Sequence, residues 1–458
     1  METQAKKKIG LIGAILMGIG CIVGSGIFGT LPAVANSYGA GVVWALLGAA
    51  VLVIINSITG IFSSSALPST AANFLWSEKL LHPYVGVFVA ISTLLLPTMV
   101  SLFGVLFADY FIQLFPGLNI SPAAASVGLL VVFTAVAWFG NKASVSSSNL
   151  MVILLIAAIF LYIVLGLPNI DPANVTFGDI LNPGVSLSSL AAAIGVLKSS
   201  LSGASSVYQL ADDIDKPERN VPIALAVCPL LVALVYILMA VVTIGVVPAA
   251  EVTTLAEVAS HFMSPSLYIF FIVGGPICGI ITSLVPVALA YVAMVEYSAR
   301  ARIFPAFLAK RNRHGTAYWS LALVMVIAVA VCSTGAAFGV VMTIFSVVNT
   351  LSGLPLAIVP IYAYKKYPNC CKNCAVKIGP KLMAVISIAM LVINVYLCVE
   401  MMLTLDWISI GGILAVYALG IVYMVFRIQY LKGKGIDLIA ELKEPFAPWE
   451  EKERSYKA

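Results

Sequence analysis

The chain has 458 residues, of which 61% are apolar and only 10% are charged, whereas soluble domains carry about 25% charged residues. This composition excludes an ordinary soluble domain with a charged surface. The net charge of +5 does not indicate a nucleic-acid partner, because the basic residues follow the membrane topology described below.

Apolar runs of about 20 residues recur along the chain, and each is long enough to cross a bilayer core about 30 Å thick. We number these runs spans 1 to 12. They cover residues 9–35, 41–66, 84–112, 122–139, 148–167, 187–211, 220–247, 266–298, 317–334, 338–364, 381–403 and 408–426. The connections are short, so the sequence predicts an all-α integral membrane protein with 12 transmembrane helices in a lipid bilayer.

The positions of the basic residues predict how the spans are oriented. If the N-terminus lies in the cytoplasm, all 25 Lys and Arg residues except Lys198 fall in cytoplasmic segments. The connections on the other side carry acidic residues such as Asp171 and Glu251 and no basic residue. This distribution follows the positive-inside rule. It predicts a multi-pass protein of the cell membrane with both termini in the cytoplasm.

Span 1 contains five glycines within twelve residues. Each glycine costs a helix about 1 kcal/mol relative to alanine, so a continuous helix is disfavoured here. Gly24, Ser25 and Gly26 lie near the middle of the span. An interruption there would direct free N–H groups and the positive end of a helix dipole at a substrate carboxylate. Tight helix packing at Gly20 and Gly24 is the alternative explanation.

Span 6 has a matching interruption, because Ser199, Ser202 and Gly203 lie at mid-depth among other small and polar residues. Spans 1 and 6 begin two sets of five, and repeats with an odd number of helices must be inverted. Paired interruptions in such repeats indicate a binding site at the membrane midplane. Carbonyl groups of span 6 would receive an ammonium group, so the sequence predicts a site for an α-amino acid.

Lys198 lies deep inside span 6, where a charge is costly and tends to mark a substrate or ion pathway. Three interpretations are open. Lys198 attracts an anionic substrate, or it takes up and releases a transported proton, or it is a structural lysine paired with an acid. Asp109 in span 3 is the first candidate partner, and Glu400 in span 11 is the second.

Three motifs resemble the amino acid–polyamine–organocation (APC) superfamily of transporters. GSGIF at residues 24–28 resembles the first-helix motif of that family, and DKPERNVPIA at residues 215–224 resembles its connection between helices 6 and 7. RIFP at residues 302–305 lies where the family has a short loop after helix 8. The layout of twelve spans is similar over essentially the whole chain, and the bacterial permeases and antiporters are the most similar in pattern.

The resemblance implies a five-plus-five inverted repeat with broken helices 1 and 6, two extra C-terminal helices and alternating access. The repeats would cover residues 9–167 and 168–364, between a cytoplasmic N-terminus at 1–8 and spans 11 and 12 at 365–426. Residues 427–458 would form a cytoplasmic tail. The implied substrate-binding residues are Ile22, Gly24, Ser25, Gly26, Ile27, Ser199, Ser202 and Gly203, with Lys198 and Asp109 for coupling or charge selection.

Two departures from the family pattern bear on the substrate. Ser199 stands where the exchangers of the family carry an aromatic gate residue, and Ser205 stands where they carry a glutamate. Large dibasic substrates and polyamines are therefore disfavoured. The predicted function is secondary active transport of small amino acids, by proton-coupled symport or exchange. The alternative is a carrier of an anionic metabolite or an acidic amino acid that uses Lys198.

An enzyme is not expected, because the three histidines lie in loops or at span ends and no HExxH motif is present. A channel is disfavoured since no repeated filter segment occurs, whereas a transport-inactive sensor stays open. Cys370, Cys371 and Cys374 supply three of the four ligands that a structural zinc site needs, so we expect reduced thiols. We expect neither a metal nor another cofactor, and a monomer or homodimer.

Overall fold

The computed structural model of the chain describes residues 9–69, 72–115, 117–138, 144–205, 207 and 214–456. Regular structure in these residues is helical, apart from two isolated backbone bridges, Ile9 with Ile214 and Arg311 with Ala317. Within the same residues, seven helices are long and apolar enough to cross a membrane. They are Gly41–Ala66, Leu150–Asn169, Pro217–Val246, Pro265–Arg300, Phe338–Lys366, Pro380–Leu403 and Trp407–Lys432.

Spans 1, 3, 4, 6 and 9 contain shorter apolar helices. These are Leu11–Ser25 and Leu31–Tyr38 in span 1, Pro83–Ser92 and Thr98–Leu114 in span 3, Pro122–Trp138 in span 4, Leu187–Leu201 in span 6 and Tyr318–Ser333 in span 9. The helix of span 5 is Ser144–Gly166 with a following 3₁₀ turn, Leu167–Asn169. Every predicted span thus coincides with one or more helices, because sustained apolar sequence favours a helix whose backbone groups are bonded internally.

Within the described residues, six shorter α-helices lie outside the spans. They are Ala72–Trp76, Phe177–Leu181, Leu255–Ser260, Pro368–Asn373, Leu438–Lys443 and Ala447–Ser455. The helix of span 12, Trp407–Lys432, continues six residues past the predicted end at 426. We call the end of the bundle that carries Lys79, Arg300 and Lys366 the basic end.

The spans pack in a pattern that relates the first five to the next five. Span 1 packs on span 7, and span 6 packs on span 2. Span 5 packs on span 8, and span 10 packs on span 3. Spans 2 and 7 contact each other, and so do spans 4 and 9. If each span number is replaced by the number five higher or lower, the same set of contacts results. The contact of spans 1 and 7, for example, becomes that of spans 6 and 2.

Two glycines hold span 6 close to its neighbours. A Cβ on Gly48 of span 2 would lie 2.7 Å from the side chain of Ile194 in span 6. A Cβ on Gly195 of span 6 would lie 2.7 Å from the sulfur of Met401 in span 11. Small residues allow helix backbones to approach closely in membrane proteins. These contacts fix which face of span 6 is directed towards spans 2 and 11.

The C-terminal tail packs against the basic end. Trp449 is only 1% exposed, and its indole N–H donates a hydrogen bond to the carbonyl of Pro68, at 3.3 Å. The ammonium of Lys452 donates to the carbonyl of Ala66, at 3.1 Å. A cation near the C-terminal carbonyls of a helix is stabilising, so the tail caps the helix of span 2.

Glu453 joins the tail to the connection between spans 10 and 11. Its carboxylate accepts hydrogen bonds from the backbone N–H groups of Asn369 and Cys370, at 3.1 and 2.8 Å, and from the amide of Asn369, at 2.9 Å. Burial acts to raise the pKa of Glu453, but these hydrogen bonds outweigh it and lower the pKa below its ordinary 4.5. The carboxylate therefore stabilises the folded tail above pH 4.5, and this contribution is lost as the pH falls through the lowered pKa.

We expect Glu453→Gln to destabilise the protein by about 2 kcal/mol at pH 7, because an amide cannot accept from all three donors and loses the charge. Thermal unfolding in detergent measures the effect, with Glu451→Gln, an exposed neighbour, as the control. The difference between Glu453→Gln and the wild type should shrink as the pH falls below 4.5. An equal melting temperature for both variants at pH 7 would contradict the role of Glu453.

Candidate functional site

The interruption of span 1 is a change of hydrogen-bond register. The α-helix Leu11–Ser25 passes directly into a π-helical turn, Gly26–Thr30, and then into the helix Leu31–Tyr38. The interruption predicted at Gly24, Ser25 and Gly26 is therefore a widened turn and not an unwound segment. A π-helical turn leaves carbonyl groups without their usual i+4 partners, and such turns are frequent at functional sites.

Tyrosines of neighbouring spans bind two carbonyl groups of span 1. The hydroxyl of Tyr236 in span 7 donates to the carbonyl of Ile22, at 3.0 Å. The hydroxyl of Tyr110 in span 3 donates to the carbonyl of Phe28, at 2.9 Å. Ile22 is one of the substrate-binding residues that the family resemblance implies, through a carbonyl that would accept from a substrate ammonium group. In the present conformation Tyr236 occupies that position.

The α-helix of span 6 ends where its interruption is predicted. Leu187–Leu201 is followed by a 3₁₀ turn, Ser202–Ser205, which contains the predicted residues Ser202 and Gly203. The carbonyl of Ser199 accepts hydrogen bonds from the backbone N–H and from the hydroxyl of Ser202, the latter at 2.7 Å. The carbonyl of Ser199, which was predicted to accept from a substrate ammonium, is thus engaged in the tight turn itself.

Spans 1 and 6 meet at Gly26, which is fully buried together with Ile27. A Cβ on Gly26 would lie 2.9 Å from the hydroxyl of Tyr236 and 3.2 Å from the carbonyl oxygen of Ser200. The structure therefore brings the predicted Gly26 of span 1 against Ser200 of span 6, a residue that was not predicted, in a closed contact that only glycine fits. The surroundings of Gly24 and the side chain of Ser25 lie outside the described part of the chain.

A polar cavity of about 110 Å³ lies beside span 6. Lys198 and Ser202 line it, whereas none of its described lining residues belongs to span 1. Successive helix residues are about 100° apart, so Lys198 and Ser200 point to nearly opposite sides of span 6. The residues that line the cavity are Val53, Asn56, Ser57, Thr59, Gly60, Asn73, Trp76, Lys198, Leu201, Ser202, Leu225, Pro229, Asn349, Thr350, Ser352, Gly353, Leu356 and Asn394.

The ammonium of Lys198 has no ion-pair or hydrogen-bond partner within the residues that the structure describes. The residue is only 5% exposed. The ion pairs of the described chain are Lys79 with Glu78, Arg300 and Arg311 with Glu296, and Arg302 with Glu441. Neither predicted partner, Asp109 or Glu400, is among them, and Glu400 accepts a hydrogen bond from Ser188 instead. These contacts do not support a paired structural lysine.

Sequence analysis missed most of the polar residues around Lys198. Asn56, Asn349 and Asn394 lie on spans 2, 10 and 11, and Asn73 follows span 2. The amide oxygen of Asn73 and the hydroxyl of Thr350 are buried and have no hydrogen-bond partner in the described chain. Asparagines within apolar spans were the signal available in the sequence, because polar groups at membrane depth tend to be functional.

The end of the bundle opposite the basic end is closed around Phe28. Its ring lies edge-on to Tyr110 and Phe271, with centroids 6.3 and 6.2 Å away. Beyond it, the amide of Asn36 donates to the carbonyl of Ala250 at 2.8 Å and joins span 1 to the connection after span 7. The cavity lies nearer the basic end, because Asn73 and Trp76 from the connection that carries Lys79 form part of its wall.

The three thiols between spans 10 and 11 are buried. Burial raises the pKa of Cys371 and Cys374, and it raises that of Cys370 to about 12. A protonated thiol is neither a good nucleophile nor a metal ligand, so these values agree with reduced, unreactive cysteines.

A family model described as amino acid permease matches residues 9–426, which is most of the chain. The chain belongs to the amino acid permease family. The family and the names of similar proteins are those of transporters and not of enzymes. Together with the apolar helices, this makes the permease a multi-pass membrane protein.

Three relatives come from Bacillus subtilis (strain 168). The permease is 26% identical over 323 residues to the methylthioribose transporter, a match that covers 64% of the chain and 68% of that protein. It is 24% identical over 253 residues to the aspartate-proton symporter, with coverage of 53% and 48%. It is 22% identical over 276 residues to the branched-chain amino acid permease BcaP, with coverage of 55% and 57%. The last two matches thus span only about half of each relative.

We expect Gly26→Ala to destabilise the permease by about 1–3 kcal/mol, the usual cost of adding a methyl group to a well-packed interior. Gly20→Ala is the matched control in the same span, because its Cβ would meet no atom closer than 3.4 Å. Both changes favour a helix equally, so only the contact differs. Melting temperatures in detergent measure the effect, and a Gly26→Ala protein as stable as Gly20→Ala would contradict the closed contact.

Proposed function

We propose that the permease is a secondary active transporter of small amino acids, which works by alternating access through proton-coupled symport or exchange. The observation that carries this proposal is the contact at Gly26 between two interrupted spans, the π-helical turn of span 1 and the helix end of span 6. Membership of the amino acid permease family supports it independently.

The proposed architecture has twelve membrane spans in a cell membrane, with inverted repeats at residues 9–167 and 168–364. Spans 11 and 12 follow at 365–426, and residues 1–8 and 427–458 are cytoplasmic. The packing of spans 1 on 7 and 6 on 2, and of spans 5 on 8 and 10 on 3, supports the repeats. Inverted repeats related by a twofold axis in the membrane plane produce such paired contacts. The basic end is then cytoplasmic by the positive-inside rule.

In this proposal the turn of span 1 opens, and the substrate carboxylate binds the N–H groups that this frees around Gly24, Ser25, Gly26 and Ile27. The substrate ammonium binds the carbonyl of Ile22 and carbonyls of the span 6 turn. Tyr236 holds the Ile22 carbonyl when the contact is closed, at 3.0 Å, so an arriving ammonium replaces a hydroxyl donor. The exchange of one donor for another leaves no buried carbonyl unpaired at either stage.

The closed packing around Phe28 and the cavity near the basic end support alternating access. They correspond to a state that is shut on the outer side, with its polar interior nearer the cytoplasm. In the opposite state span 1 and the connection after span 7 separate at the bond between Asn36 and Ala250. The change between the two states thereby exposes the same site to each side of the membrane in turn.

A carrier of an acidic amino acid or anionic metabolite is the second candidate. It is favoured by the ammonium of Lys198, which lines a cavity without an acidic partner in the described chain. One relative is named an aspartate-proton symporter, and another is named a branched-chain amino acid permease. Both names concern amino acids, and they differ in the side-chain charge that the site accepts.

Counterflow in proteoliposomes tests the proposed function. Vesicles loaded with an unlabelled amino acid should take up the same labelled amino acid at least tenfold faster than empty vesicles, because a carrier exchanges ligand across its two states. The panel comprises small neutral amino acids, aspartate and glutamate, and methylthioribose as the non-amino-acid comparison. The proposal would be contradicted if the protein exchanged methylthioribose but no amino acid. It would also be contradicted if the reconstituted protein exchanged none of the ligands.

A further inference from the structure

We infer that the cavity beside span 6 is a second binding position on the transport path, in which Lys198 binds a carboxylate of the transported amino acid. This inference rests on the proposed function, because it places a further site for the same substrate. The position differs from the one between spans 1 and 6. Its walls are formed by spans 2, 6, 7, 10 and 11, together with the segment after span 2.

The first argument is the charge of the cavity. Lys198 lies in the last turn of the helix Leu187–Leu201, where the negative end of the helix dipole offsets about half a unit charge. None of the described residues that line the cavity is Asp or Glu. The titratable neighbour of Lys198 on the adjacent span is the thiol of Cys398, which is neutral when protonated. A bound anionic group would complete the neutralisation of the ammonium.

The second argument is the set of unpaired polar atoms. The amide oxygen of Asn73 only accepts hydrogen bonds, whereas the hydroxyl of Thr350 can donate one. A buried polar atom that stays unpaired destabilises the protein. A zwitterion provides a partner for all three groups. Its carboxylate accepts from the ammonium of Lys198 and the hydroxyl of Thr350, and its own ammonium donates to the amide oxygen of Asn73.

The third argument is the size and lining of the cavity. A volume of about 110 Å³ suits a small molecule. Aliphatic side chains of Val53, Leu201 and Leu225 alternate with the polar groups and leave room for a short side chain of the ligand. A polyamine has no carboxylate and would set its cationic groups against Lys198, so this cavity rejects it.

The turn of span 6 connects the two binding positions. Ser202 begins the 3₁₀ turn and lines the cavity, and the amide of Asn349 in span 10 donates to its hydroxyl at 3.3 Å. On the other side of the same span, Ser200 contacts Gly26 of span 1. The turn of span 6 thus borders both binding positions, with Gly26 of span 1 on one face and the cavity of Lys198 on the opposite face.

Ligand affinities of variants in nanodiscs test the inference. Lys198→Gln removes the charge, Lys198→Arg retains it, and Lys365→Gln removes an exposed lysine from the end of span 10 as the control. The ligands are the neutral amino acid with the fastest counterflow, its decarboxylated amine, glutamate and succinate. We expect Lys198→Gln to lower the affinity for ligands with a carboxylate at least tenfold without lowering the affinity for the amine. Lys198→Arg should lose less affinity for these ligands, and Lys365→Gln should bind them as tightly as the wild type does.

The pattern of losses also identifies the carboxylate. Equal losses for the neutral amino acid and glutamate assign the α-carboxylate to Lys198, and a larger loss for glutamate assigns its side-chain carboxylate. Either pattern supports the inference. Unchanged binding of every carboxylate ligand by Lys198→Gln overturns it, even when the wild type exchanges amino acids. Lack of amino acid exchange by the wild type overturns the proposed function itself.

A second variant keeps the test decisive if Lys198→Gln does not fold. Thr350→Val removes only a hydroxyl and keeps the shape of the side chain. We expect it to lower the affinity for ligands with a carboxylate three- to tenfold and to leave the affinity for the amine unchanged. Wild-type affinity of Thr350→Val for all the carboxylate ligands would overturn the assignment.

Discussion

A polar group inside an apolar bundle needs a partner, and this requirement organises the interior of the permease. The carbonyls of Ile22 and Phe28 obtain theirs from tyrosine hydroxyls of other spans. The ammonium of Lys198, the amide oxygen of Asn73 and the hydroxyl of Thr350 have none within the described chain, and these three residues line the cavity. The interior therefore has two parts. In one part the polar groups have hydrogen-bond partners within the protein, and in the other, the cavity, a ligand can supply the partners.

This division gives the proposed alternating access a physical basis. The contact at Gly26 is tight because a tyrosine hydroxyl stands where a ligand ammonium is proposed to bind, so closure and ligand binding compete for one carbonyl. Among the described residues, the cavity on the opposite face of span 6 offers a positive charge without a counter-charge. In the proposed mechanism a zwitterion exchanges one set of partners for another beside span 6, and its charges stay paired.

Sequence reasoning predicted the positions of the helices and of both interruptions, because apolar length and glycine content are local properties. It did not predict that span 1 passes into a π-helical turn, since that register depends on partners such as Tyr236. The depth of Lys198 followed from the sequence, but its direction did not. Direction depends on the rotation of span 6, which the contacts of Gly48 and Gly195 determine. The buried tail around Trp449 was likewise unpredictable from its polar sequence, because tertiary contacts alone bury it.

An experimental structure of the permease with a bound amino acid, in a lipid nanodisc, tests the central claim most directly. The account predicts ligand density against the turn of span 6, with a carboxylate oxygen about 3 Å from the ammonium of Lys198 or from the N–H groups of the span 1 turn. Two results would contradict it. One is an acidic side chain of the protein paired with Lys198 in the bound state, and the other is a ligand that touches neither turn.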